Sequence, residues 1–153
     1  MEKENSVLVL GVGPDQGLGV ALCKKFAEEG FAVFGCGRNA ENMKALDAIK
    51  VSKGSIKGMV ADVTKPDEVQ KLFEQLDNTG TQLKSVIYNA GNNNASPFLE
   101  MDLKFFQDLW EVCAKGAFLI SQQAIPRLLK EGGSLIFTGA TASIRSRPPF
   151  TAF

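Results

Sequence analysis

The sequence predicts an α/β protein built on a doubly wound parallel sheet, with helices covering both faces of the sheet. Three observations lead to this prediction. Short apolar runs of strand length alternate with amphipathic stretches of helical period along the whole chain. The runs lack a polar face, which is typical of strands buried on both sides. Repeated strand–helix–strand units with right-handed crossovers then give a three-layer α/β/α architecture.

Five strands and four helical stretches are predicted, in the order β-α-β-α-β-α-β-α-β. The strands are predicted at residues 6–11, 31–36, 56–63, 83–91 and 133–139. The helices are predicted at residues 17–30, 40–50, 64–78 and about 102–130. In the third helix, Thr64 is expected to cap the N-terminus and Asp67 to complete a capping box. The fourth helix is expected to be broken or shifted near Gly116 and Pro126.

Length, charge and hydropathy restrict the class of protein. The chain has 153 residues, the size of one domain, and we treat residues 1–153 as a single domain. Lysine and arginine total 17, as do aspartate and glutamate, so no basic footprint for nucleic acid is present. No apolar run reaches the roughly 20 residues of a membrane span, and the polar N-terminus lacks a signal core. We therefore expect a cytoplasmic protein without a nucleic-acid or membrane partner.

Histidine and cysteine usage restricts the chemistry. The chain has no histidine, which excludes Ser-His-Asp hydrolysis and a His-ligated zinc site. The three cysteines are widely spaced and form no CxxC pair, so neither a disulfide framework nor a metal site is expected. Any chemistry must use tyrosine, lysine, hydroxyl or carboxyl side chains, or a bound cofactor.

The segment GVGPDQGLG, residues 11–19, lies between the first predicted strand and the first predicted helix. Gly13, Gly17 and Gly19 allow a tight turn and let backbone N–H groups approach a pyrophosphate. The N-terminus of the following helix adds a favourable field for an anionic phosphate. A P-loop would need Gly-Lys-Ser/Thr after its glycines, and this segment does not contain it. The loop therefore predicts a dinucleotide-type binding site.

The residues after the second strand bear on which nucleotide binds. A methyltransferase-type site also uses a glycine loop, but it usually has an acidic residue here to hold ribose hydroxyls. This sequence has Gly37 and Arg38 instead. An arginine at this place is suited to a ribose 2′-phosphate. We therefore favour NADP(H) over NAD(H); a solvated Arg38 at a helix start and a methyltransferase-like binder are the alternatives.

Taken together, these motifs resemble the short-chain dehydrogenase/reductase family, whose fold is Rossmann-like. The spacing Gly13-x-x-x-Gly17-x-Gly19 is similar to the cofactor loop of that family. "ADV" at 61–63 is similar to its adenine-contacting Asp-Val, and "YNAG" at 88–91 to its Asn-Asn-Ala-Gly motif, with tyrosine replacing the first asparagine. "LWEVCAKGAF" at 109–118 is similar to its central helix, so the resemblance covers essentially the whole chain.

The resemblance implies nicotinamide-dependent oxidation or reduction of a carbonyl/alcohol pair on a small-molecule substrate. It also implies a homo-oligomer for a full-length chain. The predicted cofactor-binding residues are Gly13, Gln16, Gly17, Leu18, Gly19, Arg38, Asp62, Val63, Asn89, Ala90 and Gly91.

The catalytic positions of the family carry different residues in this sequence. The family uses a tyrosine as acid/base, a lysine after it, a serine before it, and an asparagine in the central helix. Alignment on the fifth strand places Ala140 at the serine position, Phe153 at the tyrosine position and Cys113 at the asparagine position. Phenylalanine has no proton to transfer, and alanine cannot hydrogen-bond a carbonyl oxygen. A nucleotide-binding or regulatory module without hydride transfer is therefore the alternative function.

Other groups near these positions have structural explanations. The hydroxyls of Thr138, Thr141 and Ser143 are expected to cap the loop after the fifth strand; the alternative is that one of them holds a substrate oxygen. Cys113 is expected to be a small buried helix residue, since Lys115 at i+2 does not face it. The lysine position of the family lies beyond Phe153, and the family fold has further elements there. We therefore expect the sequence to be a fragment of a longer chain.

Overall fold

Five parallel strands form a single sheet in a computed structural model, which describes residues 3–14, 16–145, 148, 150 and 152. The strands are β1 (Asn5–Leu10), β2 (Ala32–Gly37), β3 (Ser55–Val60), β4 (Gln82–Tyr88) and β5 (Ser134–Phe137). Their order across the sheet is β3-β2-β1-β4-β5. The chain moves outward from β1 to β3 on one side and then returns to β4 and β5 on the other, which confirms the doubly wound sheet.

Helices connect successive strands. They are α1 (Leu18–Glu28), α2 (Ala40–Asp47), α3 (Pro66–Asp77), α4 (Leu103–Trp110) and α5 (Gly116–Glu131). A π-helical turn at Glu111–Lys115 joins α4 to α5, and short 3-10 turns lie at Phe98–Glu100 and Thr141–Ser143. No helix in the described part of the chain is long and apolar enough to cross a membrane.

The core lies on both faces of the sheet, because alternate residues of each strand point to opposite faces. Leu8 and Leu10 of β1 belong to an apolar cluster with α3 and α5, whereas Val7 and Val9 belong to a second cluster with α1 and α2. All four β1 side chains are fully buried. This explains why β1 is apolar at four consecutive positions.

Two local expectations for the helices are wrong. The N-cap of α3 is Lys65, without a side-chain hydrogen bond, and the Thr64 hydroxyl instead donates to Asp62 Oδ1 at 2.8 Å. The helix begins one residue later than predicted, so Thr64 precedes the N-cap and the expected capping box does not form. Helix α5 continues through Pro126, while the shift expected near Gly116 takes the form of the π-helical turn.

Candidate functional site

A cavity of about 300 Å³ lies at the carboxyl ends of β1, β2 and β4, where the strand order reverses. Ligands of doubly wound sheets bind at this point, because the loops after the neighbouring strands diverge there. Predicted cofactor-binding residues make up about half of its lining; they are Gly13, Arg38, Asp62, Val63, Asn89, Ala90 and Gly91. No cluster of titratable side chains among the described residues could hold a metal ion.

The loop after β1 is fixed by its contacts with the neighbouring strands. The N–H groups of Gly11 and Val12 both donate to the Cys36 carbonyl, at 3.0 and 2.9 Å. Gly11 has a φ of 81°, and a Cβ at this position would collide with the backbone of Ala90. The Asn89 side chain donates through Nδ2 to the Gly11 carbonyl at 3.2 Å. Conformation and packing therefore both require glycine at position 11.

Gly13 and Gly91 differ from Gly11, because no contact with the described residues requires them to be glycine. Neither has a positive φ, and no heavy atom of the described part of the chain lies within 4 Å of the place where a Cβ would be. Both line the cavity. Their missing side chains leave the backbone open to a group that enters the cavity, which is the role that glycines have beside a pyrophosphate. The residues present therefore fit a dinucleotide.

The first turn of α1 lies beside the cavity. Gly17 is the N-cap of α1, and a Cβ at Gly19 would lie 2.9 Å from the Gly11 carbonyl oxygen, so Gly19 lets the helix pack on the loop. Gln16 and Leu18 are exposed. These four described residues do not line the cavity, so their contact with a cofactor stays a prediction.

Arg38 directly follows β2 and lies on the side of the cavity that this strand forms. A Cβ at Gly37 would collide with the Val12 carbonyl, so the end of β2 passes directly against the glycine loop. Asn39, the next residue after Arg38, caps α2 through its side chain. Among the described residues that line the cavity, Arg38 is the only cation and Asp62 the only anion. The β2 edge therefore offers one positive charge to a ligand.

The Asp62 carboxylate is held by the backbone and hydroxyl of Thr64. Its Oδ1 accepts from the Thr64 N–H at 2.9 Å and from the Thr64 hydroxyl at 2.8 Å. Partial burial raises the pKa of Asp62, but the Thr64 hydrogen bonds and the positive charges of Arg38 and Lys65 outweigh it. The pKa therefore lies below its ordinary value. Asp62 is ionised at neutral pH, and its orientation is fixed next to Val63.

A second cavity of about 370 Å³ lies on the other side of the loop after β4. Cys113 and Ala140, which occupy two of the expected catalytic positions, both line it. Thr138 also lines it, and its hydroxyl donates to Asn89 Oδ1 at 3.1 Å, so this hydroxyl ties the loops after β4 and β5 together. Phe153 lies outside the described residues. Two of the three expected catalytic positions therefore meet beside the first cavity.

Some residues of the first cavity are absent from the sequence prediction. They are Gly11, Val12, Cys36, Gly37, Asn39, Asn42, Ala61 and Val112. Gly11 stands at the start of the glycine segment, and Asn39 is a recognisable helix cap directly after Arg38, so both had a sequence signal. Val112 had none, since its position depends on the π-helical turn.

Comparison with known proteins identifies the class to which this fold and site belong. A family model described as short chain dehydrogenase matches residues 6–153. The chain therefore belongs to the short-chain dehydrogenase family.

Individual relatives agree with this assignment. An uncharacterized oxidoreductase of Bacillus subtilis, YuxG, is 32% identical over 144 residues, covering 90% of this chain and 21% of that protein. The NADPH-dependent 1-acyldihydroxyacetone phosphate reductase of Saccharomyces cerevisiae is 26% identical over 150 residues, covering 97% of this chain and 50% of that protein. The chain thus spans between about a fifth and a half of these two curated relatives.

Solved structures of the family superpose closely on the chain. A short-chain dehydrogenase from Rhodopseudomonas palustris has a TM-score of 0.84 and 33% identity, covering 97% of this chain and 70% of that one. An NAD+-bound xylitol dehydrogenase has a TM-score of 0.87 and 21% identity, covering 97% of this chain and 57% of that one. The second likeness establishes the fold alone.

Proposed function

We propose that this chain binds NADP(H) and belongs to an oxidoreductase that interconverts a carbonyl and an alcohol on a small-molecule substrate. The observation that carries the proposal is the cavity at the switch point of the sheet. There, Gly13 and Gly91 leave the backbone open in a lining that also carries the cation Arg38 and the anion Asp62. A bound nicotinamide supplies the hydride acceptor or donor for such a reaction.

Each part of the cavity lining suits one part of the cofactor. The glycine loop and the N-terminus of α1, with Gln16, Gly17, Leu18 and Gly19, would hold the pyrophosphate. Asp62 and Val63 would contact the adenine, and the segment 89–91 would support the ribose on the nicotinamide side. Arg38 would bind the ribose 2′-phosphate, because a guanidinium forms strong charge-assisted hydrogen bonds with phosphate oxygens.

Arg38 should determine the preference for NADP(H) over NAD(H). Replacing Arg38 by alanine removes the one cation of the described cavity lining. We expect the affinity for NADPH to fall about tenfold or more, while the affinity for NADH changes little, because NADH lacks the 2′-phosphate. Calorimetry, or quenching of Trp110, the single tryptophan, measures both affinities.

Lys44→Ala is the matched control for this experiment, since it removes an exposed cation from the opposite end of α2 and changes the net charge equally. Equal weakening of NADPH binding in both variants would show that Arg38 acts only through its positive charge and not through contact with the 2′-phosphate. Absence of NADPH binding by folded wild-type protein at millimolar cofactor would refute the cofactor proposal itself.

The replacement of catalytic side chains supports a second candidate, a nucleotide-binding module without hydride transfer. Ala140 supplies no hydrogen bond from its side chain to the second cavity, and the two proton-bearing hydroxyls of the described lining are already engaged. Tyr88 donates to the Val112 carbonyl and Thr138 donates to Asn89. On this alternative, NADP(H) binds but no carbonyl compound is reduced.

Turnover of NADPH against a panel of carbonyl compounds distinguishes the two candidates. If Ala140 and Phe153 stand at the serine and tyrosine positions, the double variant Ala140→Ser/Phe153→Tyr should increase the reductase rate by about 100-fold or more, because it restores a positioned acid and a substrate hydrogen bond. The experiment uses the full-length protein. Unchanged turnover in the double variant, with NADPH still bound, would contradict this alignment of the catalytic positions.

A further inference from the structure

Tyr88, the last residue of β4, connects the sheet to the π-helical turn between α4 and α5. Its side chain is buried, and its hydroxyl donates to the Val112 carbonyl within the turn. Gly116 makes room for this contact, since a Cβ at Gly116 would collide with the Tyr88 hydroxyl. The tyrosine therefore reaches the turn only because the first residue of α5 has no side chain.

The π-helical turn accepts a hydrogen bond from outside the helix. The Gly116 N–H bonds to the Glu111 carbonyl, five residues earlier, whereas an α-helical bond spans four. Insertion of an extra residue in this way displaces a carbonyl from the regular hydrogen-bond ladder. Buried carbonyls are costly to leave unpaired, and the Tyr88 hydroxyl supplies a donor to the carbonyl of Val112.

Consecutive residues of the turn face different cavities. Val112 lines the first cavity, beside the glycine loop, and Cys113 lines the second cavity, beside Ala140. The turn therefore separates the first cavity, proposed to bind the cofactor, from the second cavity, proposed to bind the substrate. A change in the register of the turn would move both residues together.

We propose that Tyr88 is a positioning residue, whose hydroxyl holds the π-helical turn in the register that presents Val112 to the cofactor cavity and Cys113 to the substrate cavity. The assignment of the two cavities rests on the proposed function, whereas the positioning itself does not. Burial, and to a smaller extent the neighbouring Cys113 and Asp62, raise the pKa of Tyr88. The hydroxyl therefore keeps its proton, and so its role as donor, through the neutral range.

The accessibility of Cys113 reports on the register of the turn. Cys23 and Cys36 are fully buried, and burial raises the pKa of each to about 12, so neither competes for a thiol reagent under native conditions. The test compares the labelling rate of Cys113 by an aromatic disulfide reagent, located by peptide mapping, in the wild type and in Tyr88→Phe. That variant removes only the hydroxyl.

We expect Tyr88→Phe to change the rate of Cys113 labelling by about threefold to tenfold, the factor that corresponds to one hydrogen bond. Thr81→Val is the matched control. It removes the hydroxyl that bonds Ser6 at 2.9 Å, at the opposite end of the sheet, and should leave Cys113 labelling unchanged. Gly116→Ala places a Cβ against the Tyr88 hydroxyl and should change the labelling rate as Tyr88→Phe does.

No cofactor is added in this experiment, so a failure of NADP(H) to bind leaves its result intact. Wild-type labelling rates in folded Tyr88→Phe would overturn the positioning role. An equal change in Thr81→Val would also overturn it, because the effect would then follow from general loosening of the sheet. Loss of the fold in both Tyr88→Phe and Gly116→Ala would make the bond a requirement for folding rather than for position.

Discussion

Gly11 and Gly13 stand two residues apart in one loop, yet they are glycine for different physical reasons. The backbone of Gly11 is left-handed and pressed against Ala90, so the fold itself requires it. Gly13 has neither constraint and opens onto the cavity. At the scale of single residues, the loop therefore combines one glycine that serves stability with one that serves a ligand.

Gly11→Ala should destabilise the protein more than an equivalent change at a glycine with open surroundings. Gly80 also has a positive φ, 73°, but no heavy atom of the described residues lies within 4 Å of the place where its Cβ would be. We expect Gly80→Ala to cost about 1–2 kcal/mol through backbone strain alone. Gly11→Ala should cost about 1–3 kcal/mol more than Gly80→Ala, because the added methyl group overpacks against Ala90.

Urea unfolding at neutral pH measures the free energy of unfolding of both variants. Equal losses at the two positions would show that the contact between Gly11 and Ala90 relaxes without cost.

Arg127 of α5 contacts helix α3 through hydrogen bonds and through an aromatic ring. Arg127 donates through Nε and a terminal nitrogen to the two oxygens of Asp77, at 2.9 and 2.6 Å, and through its other terminal nitrogen to the Gln123 carbonyl. Its guanidinium also lies 5.0 Å from the centre of the Phe73 ring. The hydrogen bonds from Arg127 lower the pKa of Asp77. A planar, forked side chain suits this place better than an ammonium group.

Arg127→Lys should therefore destabilise the protein although it keeps the charge. Because Asp77 is about half exposed, we expect a loss of only about 0.5–1 kcal/mol, as for other solvent-screened pairs. A double-mutant cycle with Asp77→Asn isolates the contribution of the pair. Lys25→Gln, which breaks the more exposed pair with Glu29 at the C-terminal end of α1, is the control and should have no measurable effect. A coupling energy of zero in the cycle would assign the effect to packing on Phe73.

Strands and helices differ in how well the sequence predicts them. In β1 and β2 the strands are recognisable because burial on both faces requires apolar residues at consecutive positions. The edge strands β3 and β5 are largely exposed, and they are recognisable only as short apolar runs between helices. The continuation of α5 through Pro126 is not, since it depends on Ile120, Ala124 and Leu128, which are buried on both sides of the proline. This burial outweighs the roughly 3 kcal/mol cost of proline in a helix. The bond from Tyr88 to the π-helical turn likewise depends on a contact between residues distant in sequence.

The candidate site shows the same division. Arg38, Asp62 and Asn89 are predictable, because each lies within two residues of the carboxyl end of a strand at the cavity. Val112 is not, since it comes from a helix whose register is set by the tertiary contact with the sheet. Residues placed by a strand end thus follow from the sequence pattern, and residues placed by packing between layers require the structure.

The whole molecule buries two thiols and one phenol in its two-sided core. Burial raises the pKa of Cys23 and of Cys36 from the ordinary value of 9.0 to about 12, and it raises the pKa of Tyr88 as well. In the unfolded chain these groups would ionise at their ordinary values. The folded state is therefore favoured fully below pH 9, and this advantage is lost as the pH rises towards the folded values.

The free energy of unfolding should accordingly decrease above pH 9, by roughly 1 kcal/mol per pH unit for each buried thiol. Urea unfolding at intervals between pH 7 and 11, under reducing conditions, measures the slope. Cys23→Ala should reduce the slope of the free energy of unfolding against pH by the contribution of one thiol. This holds even if the variant is less stable at pH 7. An unchanged slope in this variant would show that other groups cause the alkaline loss.

The strand order also affects how the chain folds while it is being synthesised. β1 lies at the centre of the sheet and pairs with β2 on one side and with β4 on the other, but β4 follows only after two further strand–helix units. Translation adds roughly 5–20 residues per second, so the second edge of β1 waits several seconds for Gln82–Tyr88 to leave the ribosome. During that interval β1, with its four fully buried apolar residues, has an unpaired edge, and such an edge is a place where a nascent chain can pair with another chain.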